Sequence, residues 1–285
     1  MAINYAKLVN WDIPEVTQHF TRRDTMLYAL GVGLGADPCD EGQLKFVYED
    51  GLQALPTMAI ILGYPGPWHA HPDLGITRSH VVHGAQGFRI AWPMPVEGDI
   101  VGKTRVTGVV DKGKDRGALV MTECTVREKA SGSTLCTLES TTFCRADGGF
   151  GGPEGPVKAP HPLPDAPPQH VCDLPTLPQA ALLFRLSGDT NPLHADPAYA
   201  AGAGFRMPIL HGRCTFSVAG HAILRTLCAY DPSRIVAMEG RFSSPVYPGE
   251  TIRTEMWRDG SIVSFRSTVP VRGVTVLNNG RAEIR

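Results

Sequence analysis

An α+β fold built from two similar halves is the architecture that these 285 residues predict. Three observations point there. Phe216, Ala219, Gly220, Ile223, Leu224 and Leu227 recur at helical spacing and make one apolar stripe of about three turns. Elsewhere, Val120-Met121-Thr122-Glu123-Cys124-Thr125-Val126-Arg127 and Val263-Ser264-Phe265-Arg266-Ser267-Thr268-Val269 largely alternate apolar with polar residues, as strands with one wet face do. Finally, the short motifs that bracket these elements occur twice, at matched intervals. With 24 Pro and 31 Gly the chain suits many turns and short strands, and its 42% hydrophobic residues exclude a mainly disordered protein.

In chain order, Thr21-Arg22-Arg23-Asp24 has the form of a capping box and opens a helix reaching Tyr28-Ala29-Leu30-Gly31. Residues 55–62 are nearly all apolar and predict a short buried helix. Pro95-Val96-Glu97-Gly98-Asp99 leads into strands, with Lys112-Gly113-Lys114 as a turn. Nine prolines then crowd residues 151–180, where neither a helix nor a central strand can run. We read this stretch as a stiff linker between a half at 1–150 and a half at 181–285; an unusually long loop inside one domain is the other reading. Thr176-Leu177-Pro178-Gln179 forms a second capping-box pattern before Phe184-Arg185-Leu186-Ser187-Gly188. The helix of Phe216 to Leu227 comes next, then Pro245-Val246-Tyr247-Pro248-Gly249-Glu250 and strands turning at Asp259-Gly260. Tyr28 lies 67 residues before Pro95, and Phe184 lies 61 before Pro245, so the halves read as a duplication.

Charge and cysteine content narrow the function. Balanced charges, 27 basic and 28 acidic, argue against affinity built on neutralising nucleic-acid phosphates. Seven Cys without a C-x-x-C pair disfavour a disulfide framework or zinc knuckle and fit a reducing interior. Met1-Ala2-Ile3-Asn4-Tyr5 lacks a secretory pattern, no apolar run approaches membrane-spanning length, and Ala282-Glu283-Ile284-Arg285 is not a peroxisomal address. The expectation is a cytoplasmic protein with no membrane and no nucleic-acid partner.

The densest polar constellation is Ser187-Gly188-Asp189-Thr190-Asn191-Pro192-Leu193-His194. Gly188 and Pro192 argue for a loop, in which Asp189 and His194 can turn toward one point and hold a water between a carboxylate and an imidazole. Asn191 can orient them. In the plainer reading, Asp and Asn are turn formers and His194 caps the next segment of chain. Gly212, in Leu210-His211-Gly212, opens the apolar helix, where free N–H groups and the helix dipole stabilise a developing oxyanion; its plain reading is a helix cap. An acid–base pair with an oxyanion donor after it is equipment for adding water across a double bond conjugated to a carbonyl.

The stretch from Phe184 to His194 resembles the signature of MaoC-like R-specific enoyl-CoA hydratases. Leu210-His211-Gly212-Arg213-Cys214-Thr215-Phe216 and Arg241-Phe242-Ser243-Ser244-Pro245-Val246-Tyr247-Pro248-Gly249-Glu250 are similar to further family blocks. In the first half, Tyr28-Ala29-Leu30-Gly31-Val32-Gly33, Leu44-Lys45-Phe46-Val47-Tyr48-Glu49 and Val82-His83-Gly84 resemble the long form found in peroxisomal multifunctional enzymes. The resemblance implies a double hot-dog fold, in which two antiparallel sheets each wrap a central helix. It implies reversible hydration of trans-2-enoyl-CoA to (3R)-3-hydroxyacyl-CoA, with the CoA thioester as substrate and no cofactor. Asp189 and His194 would activate the water, Asn191 would orient them and the Gly212 N–H would polarise the thioester. His83, Gly84, Lys112 and Phe242 would line the CoA and acyl site. A homodimer is implied too, and exposed sheet edges favour association. Which of Asp189 and His194 is acid and which base stays open.

The first half departs from this pattern. Gly31-Val32-Gly33-Leu34-Gly35 carries no Asp-x-Asn or His, so that half is expected to shape an acyl groove without activating water. His69, His71, His80 and His83 fall close together, but Pro67, Pro72 and Gly75 break the region up, and no metal is expected there. Lys112, Lys114 and Arg116 form a basic turn, either a solvated tip or a partner for CoA phosphates. A hot-dog acyl-CoA thioesterase and a non-catalytic acyl-CoA-binding protein are the alternative functions.

Overall fold

The computed structural model describes residues 3–285; Met1-Ala2, the start of the stretch read for a secretory signal, lies outside them. The first half runs α1 (Tyr5–Val9), β1 (Val16–Phe20), α2 (Arg22–Gly31), α3 (Glu41–Leu44), β2 (Val81–Ile90), β3 (Gly98–Asp111), β4 (Ala118–Glu128) and β5 (Thr134–Cys144). The second runs β6 (His170–Pro175), α4 (Ala180–Phe184), α5 (Pro197–Gly202), α6 (Gly212–Leu227), β7 (Ile235–Phe242), β8 (Thr251–Asp259), β9 (Ile262–Val269) and β10 (Val274–Ile284). All pairings are antiparallel, in the order β1-β3-β4-β5-β2-β7-β10-β9-β8-β6. Each half therefore lays down its first, third, fourth, fifth and second strand in the same sequence. The second strands, β2 and β7, meet in the middle and join the two five-stranded sheets into one.

The same symmetry appears among the helices. Tyr28 of α2 and Phe184 of α4, matched by position in the duplication, are fully buried with ring centroids 5.7 Å apart. The first capping box closes on both sides: Thr21 accepts from the Asp24 N–H, and the Asp24 carboxylate accepts the Thr21 N–H at 2.8 Å. The second box does not form. Helix α4 starts only at Ala180, while Thr176 Oγ1 donates to the Glu250 carbonyl at 2.8 Å and accepts the Gly249 N–H at 3.0 Å. A tertiary partner across the sheet outcompetes the local cap.

Two further expectations are corrected. The proline-rich linker ends at residue 169, because residues 170–175 form β6 on the sheet edge, with Cys172 and Leu174 turned inward. An edge strand pairs on one side only, and Pro175 sits at its end, where the missing N–H costs little. Residues 55–62 hold a six-residue 3₁₀ turn, Pro56–Ile61, rather than an α-helix. Pro56 opens it and Gly63, at φ 64°, ends it, which leaves too few residues for a longer helix.

By contrast α6 is a full central helix. Twelve of its 16 residues are buried, so the predicted stripe extends to nearly all faces. It packs on β6, β7, β8 and β10 of its own half, on β2 of the other and on the 3₁₀ turn. Helix α2 covers it from outside: Tyr28 O–H meets Ser217 Oγ at 2.6 Å, and the Gly31 and Val32 carbonyls accept from Cys214 Sγ and His221 Nδ1. One core of buried residues runs through both halves.

Candidate active site

The chain enters the site from α4. A 3₁₀ turn, Arg185–Ser187, ends at Gly188 with φ 110°, a left-handed conformation that a side chain resists. The reversal presents Asp189. Two residues on, Asn191 Oδ1 accepts the Leu193 N–H at 3.1 Å and caps the turn Pro192–His194. The Asn191 N–H donates to Asp189 Oδ1 at 3.3 Å. Asn191 thus orients both partners through its backbone and its cap, while its side chain stays exposed.

His194 is buried and its Nδ1–H donates to the Ile209 carbonyl at 2.8 Å, which leaves Nε2 as the acceptor. A carboxylate oxygen of Asp189 and one ring nitrogen each of His194 and His211 all lie within 4.8 Å of one another. In the sequence His211 stands inside a family-like motif with nothing to set it apart. It is wholly buried at the N-cap of α6, stacked on His194 at 3.7 Å between ring centroids. Its Nε2–H donates to the Asp189 carbonyl at 3.1 Å, and its Nδ1 has no partner. Burial and the neighbouring His194 push the His211 pKa down to about 3, so the ring is neutral.

Burial raises the Asp189 carboxyl, but the Arg213 charge holds it below the ordinary carboxylate value. Burial lowers the His194 imidazole, partly offset by the Ile209 hydrogen bond and by Asp189. An ionised carboxylate and a neutral imidazole therefore face one another. Both accept hydrogen bonds, and a water between them would have both protons held.

Beside this pair begins α6. Gly212 is its first residue, where the N–H has no partner inside the helix. A Cβ there would come within 3.3 Å of the Phe242 ring, so only glycine leaves this backbone open to a ligand without displacing Phe242. Phe242 in turn packs on His83, 4.5 Å between centroids. His83 meets Ser140 Oγ at 3.1 Å, and burial with Arg213 drives its pKa to about 3. Gly84 sits at the bulge between β2 and β5, where a Cβ would approach the Thr141 carbonyl to 3.1 Å. Asp189, His194, Gly212, Phe242 and His83 thus form one wall. Lys112 lies apart, in the β3–β4 turn, its ammonium 5.1 Å over the Phe143 ring. Phe143 is registered opposite Val82, and successive strand residues face opposite sides of the sheet, so this contact holds Lys112 on the face away from His83 and the structure does not bring it into the wall.

Arg213 and Tyr64 carry no signal in the sequence, yet both belong to this region. Arg213 comes directly after Gly212 and lays its guanidinium 4.1 Å over the Tyr64 ring, which reaches across from the first half. No local pattern marks Tyr64, because only the joined sheets bring it to α6. The four histidines weighed as a metal cluster disperse: His71 packs on Trp11, His80 meets Ser79, His69 lies edge-on to Trp68, and His83 belongs to the wall just described.

Residues 160–279 match the MaoC like domain, and residues 18–146 match the MFE-2 hydratase 2 N-terminal domain. The peroxisomal enoyl-CoA hydratase 2 of Arabidopsis thaliana is 39% identical over 289 residues, 96% of this chain and 93% of that protein. The chain belongs to the MaoC-like enoyl-CoA hydratase 2 family. A MaoC-like dehydratase from Phytophthora capsici superposes with a TM-score of 0.86 at 32% identity, over 99% of both chains. A Mycobacterium tuberculosis protein described as a double hotdog fold superposes at 0.55 with 14% identity and covers 96% of this chain, a likeness of fold alone. The fold is thus the double hot-dog expected from the sequence, and family membership makes the chain a hydro-lyase. No helix among the described residues is long and apolar enough to cross a membrane.

Proposed function

We propose that the protein hydrates trans-2-enoyl-CoA to (3R)-3-hydroxyacyl-CoA at the Asp189–His194 pair, and reverses the reaction. The observation that carries this reading is the convergence of an Asp189 carboxylate oxygen with ring nitrogens of His194 and His211 within 4.8 Å, beside the open N-terminus of α6. Asp189, ionised, accepts a hydrogen bond from the water proton that stays on the oxygen and becomes the product hydroxyl's. His194 Nε2 removes the water's other proton, the one proton transferred, as the water oxygen bonds to C3. The electron pair of the double bond moves onto the thioester oxygen, which the Gly212 N–H stabilises. The imidazolium, steadied by Asp189, then returns its proton to C2 on the same face. Water is consumed whole, the step is redox-neutral, and side chains suffice as acid and base, so no cofactor or metal is invoked.

His83, Gly84 and Phe242 line the acyl thioester, and Lys112, on the turn after β3, meets the CoA phosphates. The first half contributes the acyl groove. Seven free thiols, six of them buried, support a reducing and therefore cytoplasmic setting, although the Arabidopsis relative is named peroxisomal. The exposed edge strands β1 and β6 support a homodimer.

Incubation with crotonyl-CoA tests the reaction. Loss of enoyl absorbance without thiol release is expected; thiol release would mean a thioesterase, and neither would mean a binding protein. Asp189→Asn and His194→Ala should each lower kcat by roughly 10²–10⁴. Either variant keeping more than about a tenth of the activity would remove that residue from the mechanism.

A further inference from the structure

Arg213 has no part in moving the proton, yet it is a half-buried cation beside the site. It occupies the second position of α6, next to the glycine that polarises the thioester. Its side chain runs away from its own half and stacks on Tyr64, the residue after the 3₁₀ turn of the first half has ended at Gly63. Arg213 and Tyr64 are both half-buried. Among the described residues no carboxylate lies within 4.0 Å of the Arg213 guanidinium. Its charge is nevertheless felt around the site, lowering the Asp189 carboxyl and the His83 imidazole and opposing the rise of Tyr64 and Cys124.

A guanidinium in that position is a poor wall for a purely aliphatic tail. Apolar carbons laid against it would strip its water and return no hydrogen bond, a costly exchange for an ion. The CoA phosphates cannot be its partner when the thioester sits at Gly212, because the pantetheine arm holds them at the far end of the ligand. What remains is the acyl end. Resting on the hydratase reading above, we infer that Arg213, braced on Tyr64, recognises a carboxylate at the far end of a short acyl chain. The preferred substrate class is then the monothioester of an unsaturated dicarboxylic acid. Tyr64 holds the guanidinium plane by stacking and leaves its N–H edge free for a two-pronged carboxylate contact.

The test compares kcat/KM for three enoyl thioesters: trans-5-carboxypent-2-enoyl-CoA, its methyl ester and trans-hex-2-enoyl-CoA. The wild-type protein should favour the free acid over the ester by roughly 10- to 100-fold, the size of one charge-assisted contact. Arg213→Gln should erase that ratio, and Arg213→Lys should keep part of it. A wild-type protein that hydrates the ester and the hexenoyl thioester as well as the acid overturns the assignment while leaving the hydratase reading intact. Equal losses on all three substrates in Arg213→Gln, with the ratio preserved, overturn it too and make Arg213 a partner of Asp189 only. Failure to hydrate any of the three would bring down the hydratase reading and this inference with it. The wild-type ratio needs no variant, so a misfolded substitution does not shield the idea.

Discussion

Asp189 and His194 are five residues apart, and their ionisation is set by what surrounds each. Burial alone would neutralise both, but Arg213 keeps Asp189 charged while His194 stays neutral. The active form therefore has a bare His194 Nε2. Activity should be level on the alkaline side and fall as pH drops through the His194 pKa, which lies below the ordinary 6.5. Asp189 raises that pKa, so Asp189→Asn should move it further down. An NMR titration of the His194 ring in both proteins measures this, and an upward shift would mean the two groups are not coupled as described. At this scale the sequence named Asp189, Asn191, His194 and Gly212 because they lie in one loop and one helix start. It was silent on His211, Arg213 and Tyr64, whose roles depend on ring stacking and on a neighbour from the other half.

Single elements carry the proposed CoA contact and the docking of α2. The basic turn after β3 is held by Asp111, whose carboxylate accepts the Gly113 and Gly149 N–H groups at 2.9 and 2.7 Å and the Gly151 N–H at 2.8 Å. Lys112 is thus presented on a tied turn, not on a loose tip. Lys112→Ala should raise KM with kcat near its original value and should weaken the salt dependence of binding. An unchanged KM would return the turn to a solvated surface. Helix α2 docks through Tyr28. Since Ser217 Oγ already donates to the Arg213 carbonyl at 2.8 Å, the Tyr28 O–H must be the donor in the pair. Tyr28→Phe should cost about 1 kcal/mol in urea unfolding, the usual size of one buried hydrogen bond. A loss near zero would show that the contact is replaced. The helix at Phe216 and strands β4 and β9 were legible from periodicity. The failed cap at Thr176 and the strand β6 were not, because both are decided by pairing with β8 and the loop before it.

Across the whole molecule the duplication is structural, and the residues matched between the halves predict a single site. With Tyr28 aligned to Phe184, Asp189 corresponds to Gly33 and His194 to Pro38, neither of which can bind a proton. The counterpart of α6 is the six-residue 3₁₀ turn, too short to offer a comparable helix N-terminus. One acyl-CoA should bind per chain. Calorimetric titration with a non-reactive acyl-CoA analogue measures the count, and two sites per chain would mean the first half is functional as well.

Local order in this chain was written into the sequence: residue alternation made strands, the 3.6-residue stripe made α6, and the Gly188 to His194 loop carried its own turn residues. The two-fold plan was visible too, since repeated anchors at matched spacing need no knowledge of space. Only the tertiary structure decided how the halves meet. Strand β2 pairs with β7, Tyr28 packs on Phe184, and Tyr64 reaches Arg213, each across more than a hundred residues of chain. Such contacts arise from covering every face of one central helix, and no short window of sequence records which residues that burial brings together.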